Sequence, residues 1–327
     1  MKAVVCKTLG PATSLCYEDN WADPVCGDGE VLVDIKAAGL NFPDVLIIEG
    51  KYQFQPQLPF IPGGECAGIV AEVGAGVTHV KPGDAVICMI QTGGFASRVA
   101  ALGHAVFPMP PGLSFEQAAG VSMTYFTSHH ALKQRAQLQP GETLLVMGAA
   151  GGVGSTAIEL GKWMGAKVIA AASSDEKLEF CKALGADEVI NYSKEDLKSV
   201  LKTMTNGRGV DVVYDPVGGD FAEPALRNMA WNGRYLVVGF ASGPIPKIPL
   251  NLALLKGCAI VGVFWGRFVT EEPKLHLENV AELWGLFENK VLNPQVTESF
   301  ALSDYQAAFE CMTERRARGK VILTTGD

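Results

Sequence analysis

The chain has 327 residues, which suggests two domains, and its 48% apolar and 19% charged residues are ample for globular cores. A net charge of −8 argues against a nucleic-acid backbone as the main partner, because phosphate recognition runs on positive charge. No stretch approaches the ~18 consecutive uncharged apolar residues of a membrane helix. The N-terminus, MKAVVCKTLG, is already strand-like, with no long apolar leader and no Arg/Ser-rich amphipathic segment. The expected location is the cytoplasm, or the mitochondrion if a leader has been removed.

The first 120 or so residues read as β-rich. Short runs such as AVVCK, EVLVDIKAAG, CAGIVAEVG, DAVICMI and ASRVAAL alternate with Gly, Pro and Asp turns, the pattern of an antiparallel barrel or sandwich. The stretch 114–136 reads as a helix broken within, started by a capping box of Ser114 and Gln117. From 142 to 265 the rhythm changes. Six apolar β-runs, LLVM, KVIAAA, EVIN, VDVVY, YLVVGF and AIVGVF, alternate with helical segments. That alternation predicts an α/β domain, a doubly wound six-stranded parallel sheet buried on both faces. LHLENVAELWGLFENK then looks helical, Ser303 is a candidate cap for a last helix, and KVILT looks like a closing strand. The tail is too short for a third domain. Residues 1–122 and 267–327 are therefore expected to form the β-rich domain, with the nucleotide-type domain 123–266 inserted.

The eight cysteines form no C-x-x-C, and the five histidines form no H-E-x-x-H or paired Cys/His spacing. Reduced, mostly buried thiols and no structural zinc are expected.

MGAAGGVGS (147–155) sits where one of the six runs ends and a helical pattern begins. There Ala149-x-Gly151-x-x-Gly154 is a dinucleotide fingerprint with Ala in its first position. Gly151 lets backbone approach a pyrophosphate, Gly154 lets helix and strand pack closely, and the helix N-terminus offers unpaired N–H groups at Ala150, Gly151, Gly152 and Val153. An NAD site wants a carboxylate at the end of the next strand. This one ends Ala171-Ala172-Ser173-Ser174. Asp175 falls in a predicted first helical turn, and Ser173 with Glu176 makes a capping box. Ser173, Lys177 and Tyr192 can face a 2′-phosphate, so NADPH is the expected cofactor.

Taken with AAGLNFPDVLIIEGKY (37–52), PFIPGGECAGIVAEVGAGV (59–77), GDAV (83–86), MTYFTSHHAL (123–132), GADEVINY (185–192), VYDPVGG (213–219), VVGFASG (237–243) and GKVIL (319–323), the whole chain resembles the medium-chain dehydrogenases/reductases. Within them it is similar to the zinc-free quinone oxidoreductases related to zeta-crystallin, in a quinone oxidoreductase-like branch. The resemblance implies a GroES-like catalytic domain beside a Rossmann domain. The zinc alcohol dehydrogenases of that superfamily place Cys in G-x-C-x-x-D and His in G-H-E. Here Asn41 and Gly64 stand at those places, and the third ligand position falls near Gly120 or Val121. No thiolate or imidazole is available for catalytic zinc, so no metal is expected.

The resemblance also implies roles. Asn41 lies near the nicotinamide, where its amide orients the ring or a substrate oxygen, or else it is an Asx-type loop cap. Tyr52 donates a hydrogen bond or proton to developing oxygen charge, or packs beside Phe54. Asp44 caps the following VLIIEG rather than acting as an acid. Thr124, Phe240, Phe264 and Trp265 line the nicotinamide pocket or belong to the core. Lys320 contacts cofactor or is an exposed strand-start lysine, and His129 and His130 are polar packing. The implied reaction is hydride donation from NADPH to a small quinone or α,β-unsaturated carbonyl. Enoyl-thioester reduction, which would need basic contacts such as Arg267, Arg315, Arg316 and Arg318, and an NADPH-binding structural or regulatory role are the alternatives. A homodimer is expected, because CAIVGVF would otherwise expose an apolar sheet edge, which in the resembled family pairs across a two-fold.

Overall fold

The computed structural model describes residues 1–326, which divide into two compact units, Met1–Met123 with Asn293 onward, and Thr124–Leu292. The first unit carries β1 (Ala3–Val5), β2 (Cys16–Glu18), β3 (Glu30–Leu40), β4 (Glu65–Val73), β5 (Ala85–Met89), β6 (Arg98–Leu102) and β7 (Val106–Pro108). The second carries β8 (Thr143–Met147), β9 (Lys167–Ala172), β10 (Glu188–Asn191), β11 (Val210–Asp215), β12 (Met229–Val237) and β13 (Ala259–Gly262). The chain then returns to the first unit as β14 (Val296–Ala301) and β15 (Lys320–Thr324).

In the first unit a seven-stranded sheet runs β14-β15-β3-β4-β5-β7, with β6 also on β3. Its organiser is β3, long enough to pair β6 along Glu30–Asp34 and β15 along Ala37–Leu40. Two register shifts against β4 let this strand turn, as bulges do. Val31, Val33, Ile35, Leu40, Phe95, Phe309 and Val321 are among the residues that fill the core. Every pairing made by β3 is antiparallel, as its closely spaced turns predict.

The second unit is a six-stranded sheet in the order β10-β9-β8-β11-β12-β13. All pairings are parallel. Numbered from β8, this is the 3-2-1-4-5-6 doubly wound order, which places a crevice at the carboxyl ends of the first and fourth strands. β8, β9 and β11 are almost wholly buried. That is why they read as continuous apolar runs rather than alternating ones.

The expected boundary at 267 is corrected. The helices Trp265–Glu271 and Pro273–Glu288 belong to the second unit, and the chain leaves it only at Asn293. Specific contacts hold them there. Gln134 Nε2 donates to Asn279 Oδ1 at 2.8 Å, Lys133 Nζ lies 2.6 Å from Glu282 Oε2, and the Tyr125 and Phe287 rings meet edge to face at 5.0 Å. Nothing in the one-dimensional pattern distinguishes a helix that packs on its own domain from one that returns to the other.

The capping box of Ser114 and Gln117 is present, with Gln117 N donating to Ser114 Oγ at 3.2 Å. Its helix ends at Ala118, and the chain continues through π-helical turns at Ser122–Phe126 and Ala131–Arg135 around a short α-helix, Thr127–His130. The last helix begins at Tyr305 after a 3₁₀ turn at Leu302–Asp304, so Ser303 lies within that turn instead of capping. Among the described residues no helix is long and apolar enough to cross a membrane. All eight cysteines are free thiols.

Candidate active site

In the first unit three strand ends converge. β3 ends at Leu40, so Asn41 is the next residue and caps the helix Phe42–Ile48. Glu65 opens β4, where Cys66 pairs with Ala38, and Lys320 opens β15, where Val321 pairs with Leu40. The register alone brings an amide, a carboxylate and an ammonium together. Lys320 Nζ donates to Glu65 Oε1 at 2.7 Å, to Asn41 Oδ1 at 2.8 Å and to Leu40 O at 3.1 Å. Asn41 Nδ2 donates to Glu65 Oε1 at 2.8 Å and to Gly39 O at 3.3 Å. The second carboxylate oxygen of Glu65 accepts from Ser122 Oγ at 2.8 Å and Met123 N at 2.9 Å. Glu65, Lys320, Ser122 and Asn41 are all buried. Gly39 is required here, since a Cβ on it would stand 2.4 Å from Ala119 O and 2.7 Å from Glu65 Oε1.

Asp44 is buried and accepts from Asn41 N at 2.8 Å, so it does serve the start of the helix Phe42–Ile48. Burial pushes its carboxyl up to about 7, against the pull of the Asn41 N–H, Lys320 and the Gly63 N–H and with the push of Glu65. Tyr52 is half-buried on the same core, and burial followed by the nearby Asp44 charge raises its phenol. The structure thus brings Asn41, Asp44 and Lys320 together, with Tyr52 in the field of Asp44. The direct cofactor contact expected of Lys320 is not what its surroundings offer, because all three ammonium hydrogens go to protein oxygens. Glu65, the centre of the cluster, was visible only as the last residue of Gly-Gly-Glu, and nothing in the sequence marked it as a hub.

In the second unit the glycine-rich turn joins β8 to the helix Gly152–Trp163, with Gly151 at its N-cap. A Cβ on Gly154 would lie 2.4 Å from Gly148 O and 2.8 Å from Ala149 Cα, so close packing of helix on strand is the physical demand for glycine there. Ala149 and Ala150 are buried, whereas Gly151, Gly152 and Val153 are partly exposed at the helix N-terminus. First-turn N–H groups have no partner within a helix, and they carry its partial positive charge.

At the end of β9 the cap is one residue later than the Ser173/Glu176 box predicts. Ser174 Oγ accepts from Lys177 N at 3.4 Å, and the helix starts at Asp175. Ser173 is thereby released from capping, and its Oγ lies 3.5 Å from Lys177 Nζ. Asp175 is turned to the neighbouring strand end, 2.6 Å from Asn191 Nδ2 and 2.5 Å from Lys194 Nζ. Those two donors, Lys194 first, hold its carboxyl below the usual range. Tyr192 follows β10, donates its N–H to Ala172 O at 3.2 Å and packs its ring on Phe221 at 4.4 Å. Ser173, Lys177 and Tyr192 therefore cluster at the ends of β9 and β10.

The other expected pocket residues differ in exposure. Thr124 is buried, and its carbonyl accepts from Thr156 Oγ1 at 3.3 Å. Phe240 follows β12 beside Gly218, where a Cβ would meet its ring at 2.8 Å. Phe264 is exposed at the start of the helix Trp265–Glu271, whereas the Trp265 ring is core, against Phe126 and His276. His129 and His130 pack as expected. His129 Nε2 lies 2.5 Å from Glu282 Oε2, and His130 stacks on Phe268 at 3.9 Å. Arg267 and Arg316 pair with Glu271 and Glu314 on their own stretches of chain.

The pattern described as "Alcohol dehydrogenase GroES-like domain" matches residues 27–132, and that described as "Zinc-binding dehydrogenase" matches 152–282. The quinone oxidoreductase-like protein 2 homolog of Nematostella vectensis is 40% identical over 327 residues, covering 99% of this chain and 89% of that protein. This chain belongs to the quinone oxidoreductase family of the medium-chain dehydrogenases/reductases. Quinone oxidoreductase 1 of Escherichia coli K12 is 35% identical, with 96% of each chain covered. The crystal structure of Escherichia coli quinone oxidoreductase complexed with NADPH superposes with a TM-score of 0.92 at 32% identity, covering 99% of this chain and 100% of that one. The two units described above are thus the family's GroES-like and Rossmann-like domains.

Proposed function

We propose that this protein is a metal-free reductase that uses NADPH to pass hydride to quinones or α,β-unsaturated carbonyls. The observation that carries the reading is Lys320. Asn41 and Gly64 occupy two positions where zinc relatives carry Cys and His. The Lys320 ammonium is bonded to Asn41, and its stem lies 2.9 Å from where a Cβ on Gly120 would stand. A buried ammonium already supplies the positive charge in this neighbourhood, and the side chains offered are an amide and a carboxylate that it holds. Among the described residues no three His, Cys, Asp or Glu gather into a metal-holding set, which supports a reaction without catalytic zinc. Without a Lewis acid, conjugated acceptors suit the site, because their charge delocalises into an enolate or hydroquinone.

Two relatives whose structures are described with NADPH support the cofactor, and so does the end of β9. The acid nearest the ribose position is tied to Asn191 and Lys194, and Lys177 sits with Ser173. When bound, NADPH supplies a hydride, and each acceptor also takes up one proton. In this reading the first-turn N–H groups of Gly152 and Val153 hold the pyrophosphate, Ser173, Lys177 and Tyr192 face the 2′-phosphate, and Thr124, Phe240 and the Phe264–Trp265 backbone line the nicotinamide pocket. Tyr52, kept protonated by burial and by Asp44, hydrogen-bonds the oxygen that gains charge. Steady-state assay with quinones, enals and enoyl thioesters, before and after chelation, tests the proposal. Undiminished quinone or enal reduction is expected, and loss of turnover with loss of stoichiometric zinc would refute it.

NADPH should bind at least about tenfold tighter than NADH, since a charge-assisted contact contributes roughly 1.5–3 kcal/mol. Lys177→Ala should remove most of that gap and leave NADH binding nearly unchanged in fluorescence titrations. Equal affinities in the unmutated protein would mean that Asp175 leaves Lys194 for the ribose.

We also propose a homodimer. β13 is an edge strand with exposed faces, and Leu250, Leu254, Leu255, Ile260 and Trp231 stand exposed around it. Light scattering at micromolar concentration should give twice the 34.7 kDa chain mass, and a monomer there would count against the pairing.

A further inference from the structure

The ends of β9 and β10 are tied together by side chains of the second unit alone, and one of those side chains is rigidly held. β10 pairs with β9 up to Asn191, which stands opposite Ala172. Asn191 is 3% exposed. Its N–H donates to Glu195 Oε2 at 2.9 Å, and its carbonyl accepts from Lys194 N at 3.0 Å and Glu195 N at 2.9 Å. Its side-chain oxygen accepts from Ser193 N at 3.1 Å, a group that can only donate. The amide is thereby fixed, with Nδ2 turned to Asp175 Oδ1 at 2.6 Å. The other Asp175 oxygen lies 2.5 Å from Lys194 Nζ.

Asp175 and Lys194 are 67% and 65% exposed at the side chain, and an ion pair between exposed side chains is weak. The buried amide of Asn191 is what gives the carboxylate a defined place. Asp175 follows the cap Ser174 and lies between Ser173 and Lys177, whose Oγ and Nζ are 3.5 Å apart. A carboxylate thus sits on the same turn as two of the side chains that face the 2′-phosphate in the proposed NADPH complex. Left unheld, it would repel that phosphate, and it would offer a ribose the acid that NAD sites use after this strand.

We propose that Asn191 and Lys194 are positioning residues for cofactor selectivity. They hold Asp175 against the end of β10 and counter its charge, so the turn that carries Ser173 and Lys177 accepts a 2′-phosphate although it also carries an acid. Both act through Asp175 and need no contact with the cofactor. The inference deepens the NADPH reading and rests on it.

The test is a set of fluorescence titrations of the intact chain with NADPH and NADH, which differ only in the 2′-phosphate, read as the ratio of their dissociation constants. Asn191→Ser changes no charge, and its hydroxyl can still accept from Ser193 N as such turns allow; it is too short to reach Asp175. The preference for NADPH should fall about threefold in Asn191→Ser and about tenfold in Asn191→Ser/Lys194→Gln, the worth of an exposed pair and of a charge-assisted contact. Lys194→Gln alone alters an exposed side chain and repeats the test should the serine variant fail to fold by circular dichroism, with a fall of about threefold expected. Asp175→Ala should leave the preference within about twofold of the parent, because the acid it removes is already held away, and added to either unlatched variant it should restore the preference. A preference unchanged in the unlatched variants would overturn the inference. So would a loss that Asp175→Ala fails to restore, or a rise in Asp175→Ala alone as large as the fall in Lys194→Gln, which would reduce both residues to general surface charge. If the unmutated protein shows no preference for NADPH, the functional reading itself fails and this inference with it.

Discussion

Lys320→Met should unfold at lower guanidinium concentration, with a loss of about 3–5 kcal/mol, the usual cost of removing one partner from a buried ion pair. Lys320 and Glu65 are 5% and 0% exposed at the side chain and 2.7 Å apart. Without the ammonium, Glu65 remains in the protein interior with hydrogen bonds from Asn41, Ser122 and Met123 but no countercharge. The carboxylate then has to be desolvated without Coulomb compensation, or protonated. Glu65→Gln/Lys320→Met should regain most of the loss, because a neutral buried pair carries no such penalty. A shift below about 1 kcal/mol in Lys320→Met, the size of an exposed pair, would show that water reaches the carboxylate.

The parts of this molecule that were legible in one dimension are those fixed by local periodicity. Each of the six apolar runs from LLVM to AIVGVF is a strand of the parallel sheet, because strands covered on both faces need unbroken apolar sequence. Gly154 was legible as a close-packing glycine because strand, turn and helix follow one another directly. Asn41 was legible by its place in a motif. Its chemical polarity was not, since that depends on Glu65 and Lys320, 24 and 279 residues away along the chain. Such a contact is created only when β4 and β15 take their register on β3. The unit that holds the helix Pro273–Glu288 is hidden in the sequence for the same kind of reason. The helix's partners Gln134, His129 and Tyr125 lie on a helical stretch that passes through π-turns. Ser173 and Ser174 both satisfy a capping pattern, and only the backbone, extended through Ser174, decides between them.

Asp44→Asn should change stability in a pH-dependent way, because Asp44 is a carboxyl whose folded value is raised. The sign follows from proton counting. From the unfolded value of 3.8 up to the folded value of about 7, the folded chain holds a proton that the unfolded chain has released. Unfolding therefore becomes easier as pH rises through that window. Stability contributed by the protonated form is fully present below pH 4 and lost by about pH 7. The difference between those values corresponds to at most about 4 kcal/mol. The groups facing the carboxyl are the N–H of Asn41 and of Gly63, the Lys320 ammonium, the Glu65 carboxylate and the Tyr52 phenol. The first three favour its charge, Glu65 opposes it, and burial exceeds them all. Asparagine keeps an acceptor for Asn41 N and has no charge to desolvate, so the variant should gain on the parent between pH 5 and pH 8 in paired guanidinium melts. Groups such as His130 and His276, both pushed down to about 4 by burial, titrate alike in the two proteins and cancel from the comparison. A constant difference across that range would mean that Asp44 ionises normally, with its charge carried by the Asn41 N–H and Lys320 after all.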